Sequence, residues 1–265
     1  MKIGIDAGGT LIKVVYVDGD HRTFEKWPST EVDALIEVLD SQYAEDALFL
    51  TGGKAEYMAE KLNQHHGVSI EFDATYRGLK TLMREQGIDL ERFVYLNVGT
   101  GTSFHHASRE GQERVGGSGV GGGTLLGLSK LLVDIDDYNE IIALAESGNR
   151  DAIDLKVHHI YAGRPTPIPG DLTASNFGNV LSGDVAALEP ADKVQAVIGL
   201  VAETVTAVGI SLAEGYDSTD IVFIGSTLLD NKVMQEIINR YAGLKGAKAH
   251  MVRHGEYSGA LGAIL

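Results

Sequence analysis

The chain has 265 residues, 44% of them hydrophobic, with 33 glycines, no cysteine, and 22 basic against 37 acidic side chains for a formal charge of −15. A chain of this size can bury a substantial core, and the missing cysteine excludes disulfides, a thiol nucleophile, iron–sulfur clusters and Cys-ligated zinc. The acidic balance argues against nucleic acid as a partner, the opening residues lack a signal peptide, and no run approaches the roughly 18 apolar residues of a membrane span, so a soluble cytoplasmic protein is expected.

Lys2–Asp6 is a short apolar run followed by Ala7-Gly8-Gly9-Thr10 and a β-branched run, Leu11–Val17. This predicts strand, tight turn, strand, and Asp18-Gly19-Asp20 turns the chain into a third strand, His21–Trp27. Ser29 or Thr30 is the expected cap of a helix over Glu31–Asp40, with Val32, Leu35, Ile36 and Leu39 on one face. Ala47–Thr51 reads as a buried strand ending at Gly52-Gly53, Ala55–Asn63 as a helix, Val68–Glu71 as a strand and Ala74–Gln86 as a helix. At Phe93–Val98 the opening pattern recurs: an apolar strand, a bend of Gly99-Thr100-Gly101-Thr102, and a returning strand, Ser103–Ala107. This echo predicts an α/β protein of two related lobes, residues 1–92 and 93–265, each turning a bend toward a shared cleft. Gly116–Gly123 holds six glycines in eight positions before a helix at Thr124–Leu132. Further helices are expected over Asp136–Glu146, Lys193–Glu214, Asn231–Leu244 and Tyr257–Leu265, and strands over Asp220–Ile224 and Lys248–Val252, while Arg164–Gly170 reads as loop.

Glycines in a strand-to-strand bend let backbone N–H groups converge on a phosphate. Gly8-Gly9, Gly99–Thr102 and Gly121–Gly123 are three such places, the last at a helix start where anions are favoured. Any one of them could merely turn a hairpin; the three together point to a nucleotide triphosphate. Thr10, Thr100 and Thr102 add neutral donors, Lys13 a local cation, and Asp6 an oxygen ligand for Mg²⁺. No Gly-x4-Gly-Lys-Ser/Thr occurs, and the Gly-x-Gly-x-x-Gly at Gly117, Gly119 and Gly122 lacks a preceding hydrophobic strand, against a dinucleotide site. In Glu71-Phe72-Asp73 an extended backbone puts the two acids on one side. Asp73 is better explained as a helix N-cap, which leaves Glu71 as the general base. Arg114, ahead of the glycine cluster, is either a surface arginine or a group that stabilises charge on the moving phosphoryl. The pairs His65-His66, His105-His106 and His158-His159 lack the i, i+4 spacing of a zinc helix and read as structural or surface histidines.

Asp6-Ala-Gly-Gly-Thr-Leu-Ile-Lys13, Glu71-Phe-Asp73, Asn97-Val-Gly-Thr-Gly-Thr-Ser103, Arg114-Val-Gly-Gly, Gly121-Gly-Gly123 and Ile224-Gly-Ser226 follow one another in an order that resembles bacterial type II pantothenate kinases. The resemblance runs through essentially the whole chain. It extends to the wider superfamily of acetate and sugar kinases, heat-shock chaperones and actin, whose two actin-like, ribonuclease H-like lobes have mixed sheets flanked by helices around an ATP cleft. It implies ATP- and Mg²⁺-dependent phosphorylation of pantothenate, the first step of coenzyme A synthesis, by a homodimer. Carried over by position, Asp6, Ala7, Gly8, Gly9, Thr10, Leu11, Ile12 and Lys13 would hold the ATP phosphates and, through Asp6, the metal. Glu71 would be the proton acceptor and Arg114 would contact the reacting groups. Thr100, Thr102 and Ser103 would line the meeting point of phosphate and acceptor, and Gly122, Gly123, Thr124, Leu125, Leu126, Tyr138 and Ser226 would serve the nucleotide. Ser118 and Thr124-Leu125-Leu126 depart mildly from the family pattern, which bears on nucleotide fit. The Lys193–Glu214 helix is expected either at the dimer interface or in the core. The nearest alternatives are a sugar or N-acetylhexosamine kinase of the same superfamily and a non-catalytic nucleotide-gated protein; Glu71 argues against the second, and the missing cysteine-rich zinc motif against many members of the first.

Overall fold

Ile3, Gly4 and Ile5 are all buried although side chains alternate between the faces of a strand, so both faces of this strand are covered. That strand, β1 (Lys2–Ala7), is the middle of the first of two five-stranded sheets in the computed structural model, which describes residues 1–161, 164–181 and 185–265. The chain separates into two units: Met1–Glu91 with Ser108–Arg114 and Met251–Leu265, and Arg92–Ala107 with Val115–His250.

In the first unit β1 pairs antiparallel with β2 (Leu11–Asp18), which pairs antiparallel with β3 (His21–Pro28). The chain then forms α1 (Val32–Gln42), β4 (Ala47–Thr51), α2 (Ala55–Lys61), β5 (His66–Val68) and α3 (Glu71–Glu85), with β4 parallel to β1 and β5 parallel to β4. Val32, Leu35, Ile36 and Leu39 of α1 and Met58 of α2 pack with Ile3, Ile5, Ile12, Val14, Leu48 and Leu50 of the sheet. The cap of α1 differs from expectation: Glu31 precedes the helix without a side-chain cap, and the Ser29 hydroxyl donates to the Gly8 carbonyl instead.

The second unit repeats the plan. β6 (Phe93–Val98) pairs antiparallel with β7 (Thr102–Ala107), and β8 (Gln112–Ser118) forms the sheet edge. There follow α4 (Gly122–Val133), α5 (Tyr138–Ala145), the two-stranded pair β9 (Leu155–Lys156) and β10 (Thr173–Ser175) with the single turn α6 (Val157–Ile160) between them, and then α7 (Pro190–Gly215). β11 (Asp220–Ile224) lies parallel to β6, and α8 (Lys232–Leu244) leads to β12 (Lys248–Met251) at the other edge. The sheet orders, β3-β2-β1-β4-β5 and β8-β7-β6-β11-β12, place the same succession of strands in each unit. Long and apolar enough by length and composition to span a membrane, α7 instead buries Val194, Val197, Ile198, Val201 and Val205 completely. That is the behaviour of a core helix, so of the two expectations for this segment the core one holds, and these valines and isoleucine are packed within their own unit.

The final helix, α9 (Ser258–Ile264), was expected in the second lobe. It belongs to the first unit, packed on β1 and α3.

Candidate active site

In the first unit Asp6 stands opposite Lys13 across the β1–β2 pair and beside Thr51 of β4. Its carboxylate is 3.9 Å from the Lys13 ammonium, and the two side chains are only 14% and 17% exposed. The bend between the strands is held from outside: Ser29 N–H donates to the Thr10 carbonyl at 2.9 Å, Lys54 N–H to Ala7 at 2.9 Å, and the Lys54 ammonium to the Ser29 carbonyl at 2.8 Å. A methyl at Gly8 would stand 2.8 Å from the Leu11 carbonyl, while at Gly9 nothing lies within 4 Å, so that glycine leaves the bend open to an approaching group. Ala7 and Ile12 have fully buried side chains, which leaves only their backbone for a ligand. Burial pushes the Asp6 carboxyl above the usual carboxylate range, against the pull of Lys13.

Glu71 is the first residue of α3, not the last of a strand, because the Ala74 N–H already reaches the Ile70 carbonyl at 3.0 Å. Its carboxyl is raised by removal from water and then by the charge of Asp6, with Lys13 acting oppositely, so the three groups form one electrostatic cluster. Asp73 lies in the first turn rather than at the N-cap, which is Ile70, and accepts a hydrogen bond from Gln112 at 3.3 Å. Two residues on, the Arg114 guanidinium rests 5.9 Å from the ring centroid of Phe72, the neighbour of Glu71. Tyr76 donates to the Ser108 carbonyl at 2.8 Å, so both ends of Ser108–Arg114 are tied to α3.

In the second unit the bend after β6 is stitched to the start of α4. Gly122 N–H donates to Gly99 at 2.7 Å, Gly123 N–H to Thr100 at 2.8 Å, and the Thr227 hydroxyl to Gly99 at 2.9 Å. The N–H groups of Gly122 and Gly123, expected to face an anion, are thus engaged by the bend itself. Thr102 donates to the Val120 carbonyl at 2.8 Å, Ser103 shares a 3.0 Å hydrogen bond with the His105 ring, and Thr124 donates to Gly119 at 3.0 Å. Leu125 is fully buried, Leu126 partly so. Tyr138 donates to the Thr227 carbonyl at 2.7 Å and pins the turn that contains Ser226. A strand, β8, contains Gly117 and precedes Gly119 and Gly122, but it is an edge strand followed by two helices, α4 and α5, so the dinucleotide arrangement is absent.

The histidine pairs have other partners. His105 stacks on Tyr95 at 4.5 Å and His106 on Tyr216 at 3.8 Å, while His66 and His158 bond to backbone carbonyls.

A family model described as Fumble matches residues 2–265. Proteins called type II pantothenate kinase from Staphylococcus epidermidis (strain ATCC 12228 / FDA PCI 1200) and Staphylococcus aureus (strain USA300) are 45% and 46% identical over 264 residues, covering 100% of this chain and 99% and 98% of theirs. The chain belongs to the type II pantothenate kinase family. Two solved structures share its fold at low identity. The activator of the 2-hydroxyisocaproyl-CoA dehydratase from Clostridium difficile with bound ADPNP has a TM-score of 0.65 at 16% identity, covering 99% of this chain and 92% of that one. A ROK family glucokinase from Streptomyces griseus in complex with glucose and AMPPNP has a TM-score of 0.57 at 14% identity, covering 99% and 97%. The actin-like fold that the family resemblance implied, with the two related lobes read from the repeated strand–bend–strand pattern, is therefore present in this pantothenate kinase family member.

The first unit brings together Asp6, Lys13 and Glu71, and sets Arg114 on the Phe72 ring; the second gathers Thr100, Gly122, Gly123, Tyr138 and Ser226 around one backbone knot. Sequence reasoning missed Ser29, Lys54, Phe72 and Thr227. It also missed the use of Gly52 and Gly225, which end the parallel strands β4 and β11 at φ +92° and +112° against the Ala7 and Val98 carbonyls that end β1 and β6. The recurrence of Gly-Gly and Gly-Ser after those two strands was the signal available for them.

Proposed function

We propose that this chain transfers the γ-phosphoryl group of ATP to the primary hydroxyl of pantothenate, giving 4′-phosphopantothenate. The observation that carries the reading is the cluster of Glu71, Asp6 and Lys13 in a chain that matches type II pantothenate kinases from end to end. Glu71 accepts the proton of the attacking hydroxyl as its oxygen bonds to the γ-phosphorus and the bond to the bridging oxygen breaks, releasing ADP. A carboxylate kept above the usual range is a better acceptor for that proton than an ordinary one. Arg114, whose guanidinium is steadied by Phe72 but not consumed by it, offsets charge on the transferring group. Lys13 and the Gly8–Thr10 bend hold phosphate oxygens, and the bend after β6 supplies Thr100 and Ser103 at the meeting point of phosphate and acceptor, with Thr102 fixing that bend through its bond to Val120. Gly122–Leu126, Tyr138 and Ser226 shape the nucleotide side.

Asp6 fits a Mg²⁺ ligand. It is an oxygen donor with little exposure, and no group of three or more His, Asp or Glu that could hold a metal occurs among the described residues. This suits an ion bound by one or two carboxylates together with substrate phosphates. Mg²⁺ there would neutralise charge on the β- and γ-phosphates. The reading includes a cytoplasmic homodimer with no nucleic-acid or membrane partner.

The test is ADP release by the purified protein with Mg²⁺-ATP, comparing pantothenate with glucose, N-acetylglucosamine, N-acetylmannosamine and no acceptor. Turnover dependent on pantothenate is expected. Turnover dependent on a sugar would replace the substrate, and indifference to every acceptor would remove the transferase reading. Light scattering of the eluted protein checks the dimer.

A further inference from the structure

Asp6 would have to present its carboxylate to a metal in one orientation, yet among the described residues that carboxylate accepts no hydrogen bond, and Lys13 stands off at 3.9 Å. Its surroundings define it by shape. A methyl at residue 52 would lie 2.6 Å from Oδ1, and a methyl at residue 259 would lie 2.8 Å from Oδ2 and 3.0 Å from Cγ. One glycine therefore faces each oxygen.

We propose that Gly52 and Gly259 are positioning residues for Asp6, two absent side chains that leave its carboxylate a single slot. The proposal rests on the reading of Asp6 as the cation ligand, and it makes α9 part of the site although α9 offers no ligand of its own. The helix is packed backbone to backbone with its neighbours, and moving it away would give up that packing. A methyl at Gly262 would stand 1.7 Å from the Ala74 carbonyl, at Gly78 1.9 Å from the Ser258 carbonyl, and at Gly4 1.9 Å from the Ala260 carbonyl. The backbone of α9 is thus in direct contact with α3 and β1. Substitution at those three glycines strikes backbone and breaks the packing. At Gly259 the two nearest atoms are Oδ2 and Cγ of Asp6, which turn away with the side chain, and the third is its Cβ at 3.3 Å, so an added methyl is relieved chiefly by turning Asp6. Gly52 is a less clean probe, since its φ of +92° strains any other residue.

The decisive experiment titrates Mn²⁺ into full-length protein with a non-hydrolysable ATP analogue and no acceptor, reading bound metal by electron paramagnetic resonance and fold by thermal unfolding. Gly259→Ala should fold and bind Mn²⁺ about 10–100-fold more weakly, the range seen when groups that orient a ligand are removed. In an Asp6→Ala background the same substitution should cause no further loss. Unchanged Mn²⁺ affinity in Gly259→Ala, or an equal added loss in both backgrounds, overturns the proposal. If Gly259→Ala does not fold, the Asp6→Ala/Gly259→Ala protein decides: folding rescued by removing the carboxylate supports the clash, and failure to fold overturns it. Because no acceptor is present, absence of pantothenate-dependent turnover would leave this result standing. Unchanged Mn²⁺ affinity in Asp6→Ala would overturn both the ligand assignment and the positioning built on it.

Discussion

The bend that ends the leading strand of the first unit is bordered by Asp6, Lys13 and Glu71, whereas the bonds described above for the bend in the same topological place of the second unit run through backbone and hydroxyl groups. One is also loosely filled, with open space beyond Gly9, while the other is closed by Gly122, Gly123 and Thr227. Under the proposed function, a duplicated scaffold is divided between reactivity and neutral cradling. Where charge must change during a reaction, movable protons and cations are needed; where a polyanion must only be held, rigid dipoles suffice.

If that division is right, substitutions in the first unit change the rate and those in the second change nucleotide affinity. Glu71→Gln should lower kcat by about 10²–10⁴-fold, the range for removing a general base, with ATP binding by calorimetry unaltered; equal turnover would reject Glu71 as the base. Arg114→Ala should reduce kcat by about 10²-fold and leave the KM for ATP within a few-fold, which a steady-state series in ATP resolves. Thr227→Val deletes the 2.9 Å bond to Gly99. With a net loss of about 1 kcal/mol, it should weaken ATP binding roughly fivefold at nearly constant kcat; a change confined to kcat would blur the two units. Smallest is Phe72→Leu, which removes the ring beneath Arg114 and about 0.5–1 kcal/mol of cation–π interaction. It should slow single-turnover phosphoryl transfer about two- to fivefold without touching nucleotide affinity.

Most strands and helices were legible because their periodicity was uninterrupted: Ala47–Thr51, Phe93–Val98 and Asp220–Ile224 have the limits read from sequence. The start of α3 was not. Ile70-Glu71-Phe72-Asp73 alternates apolar and acidic residues like a strand, and only the buried series Ala74, Thr75, Gly78, Leu79, Leu82 and Met83 declares the helix, three residues later than its backbone begins. β8 was hidden because Glu113, Arg114 and two glycines give no alternation, as an edge strand permits. The charged members of the site were legible by type and by their place beside the bends or in the acidic pair, although Glu71 opens a helix rather than ending a strand. Their glycine neighbours were not, because the need for a missing side chain at Gly52 or Gly259 exists only once distant segments touch.

The return of Met251–Leu265 to the first unit also orders events in time. Synthesis proceeds from the N-terminus, and the first sheet emerges early with one face lacking the helix that covers it. The whole of the second unit is made before α9 becomes available to seal that face against β1 and α3. Completion of the first unit therefore waits on the second, and the nascent chain carries an uncovered Gly4–Gly78 seam until α9 leaves the ribosome.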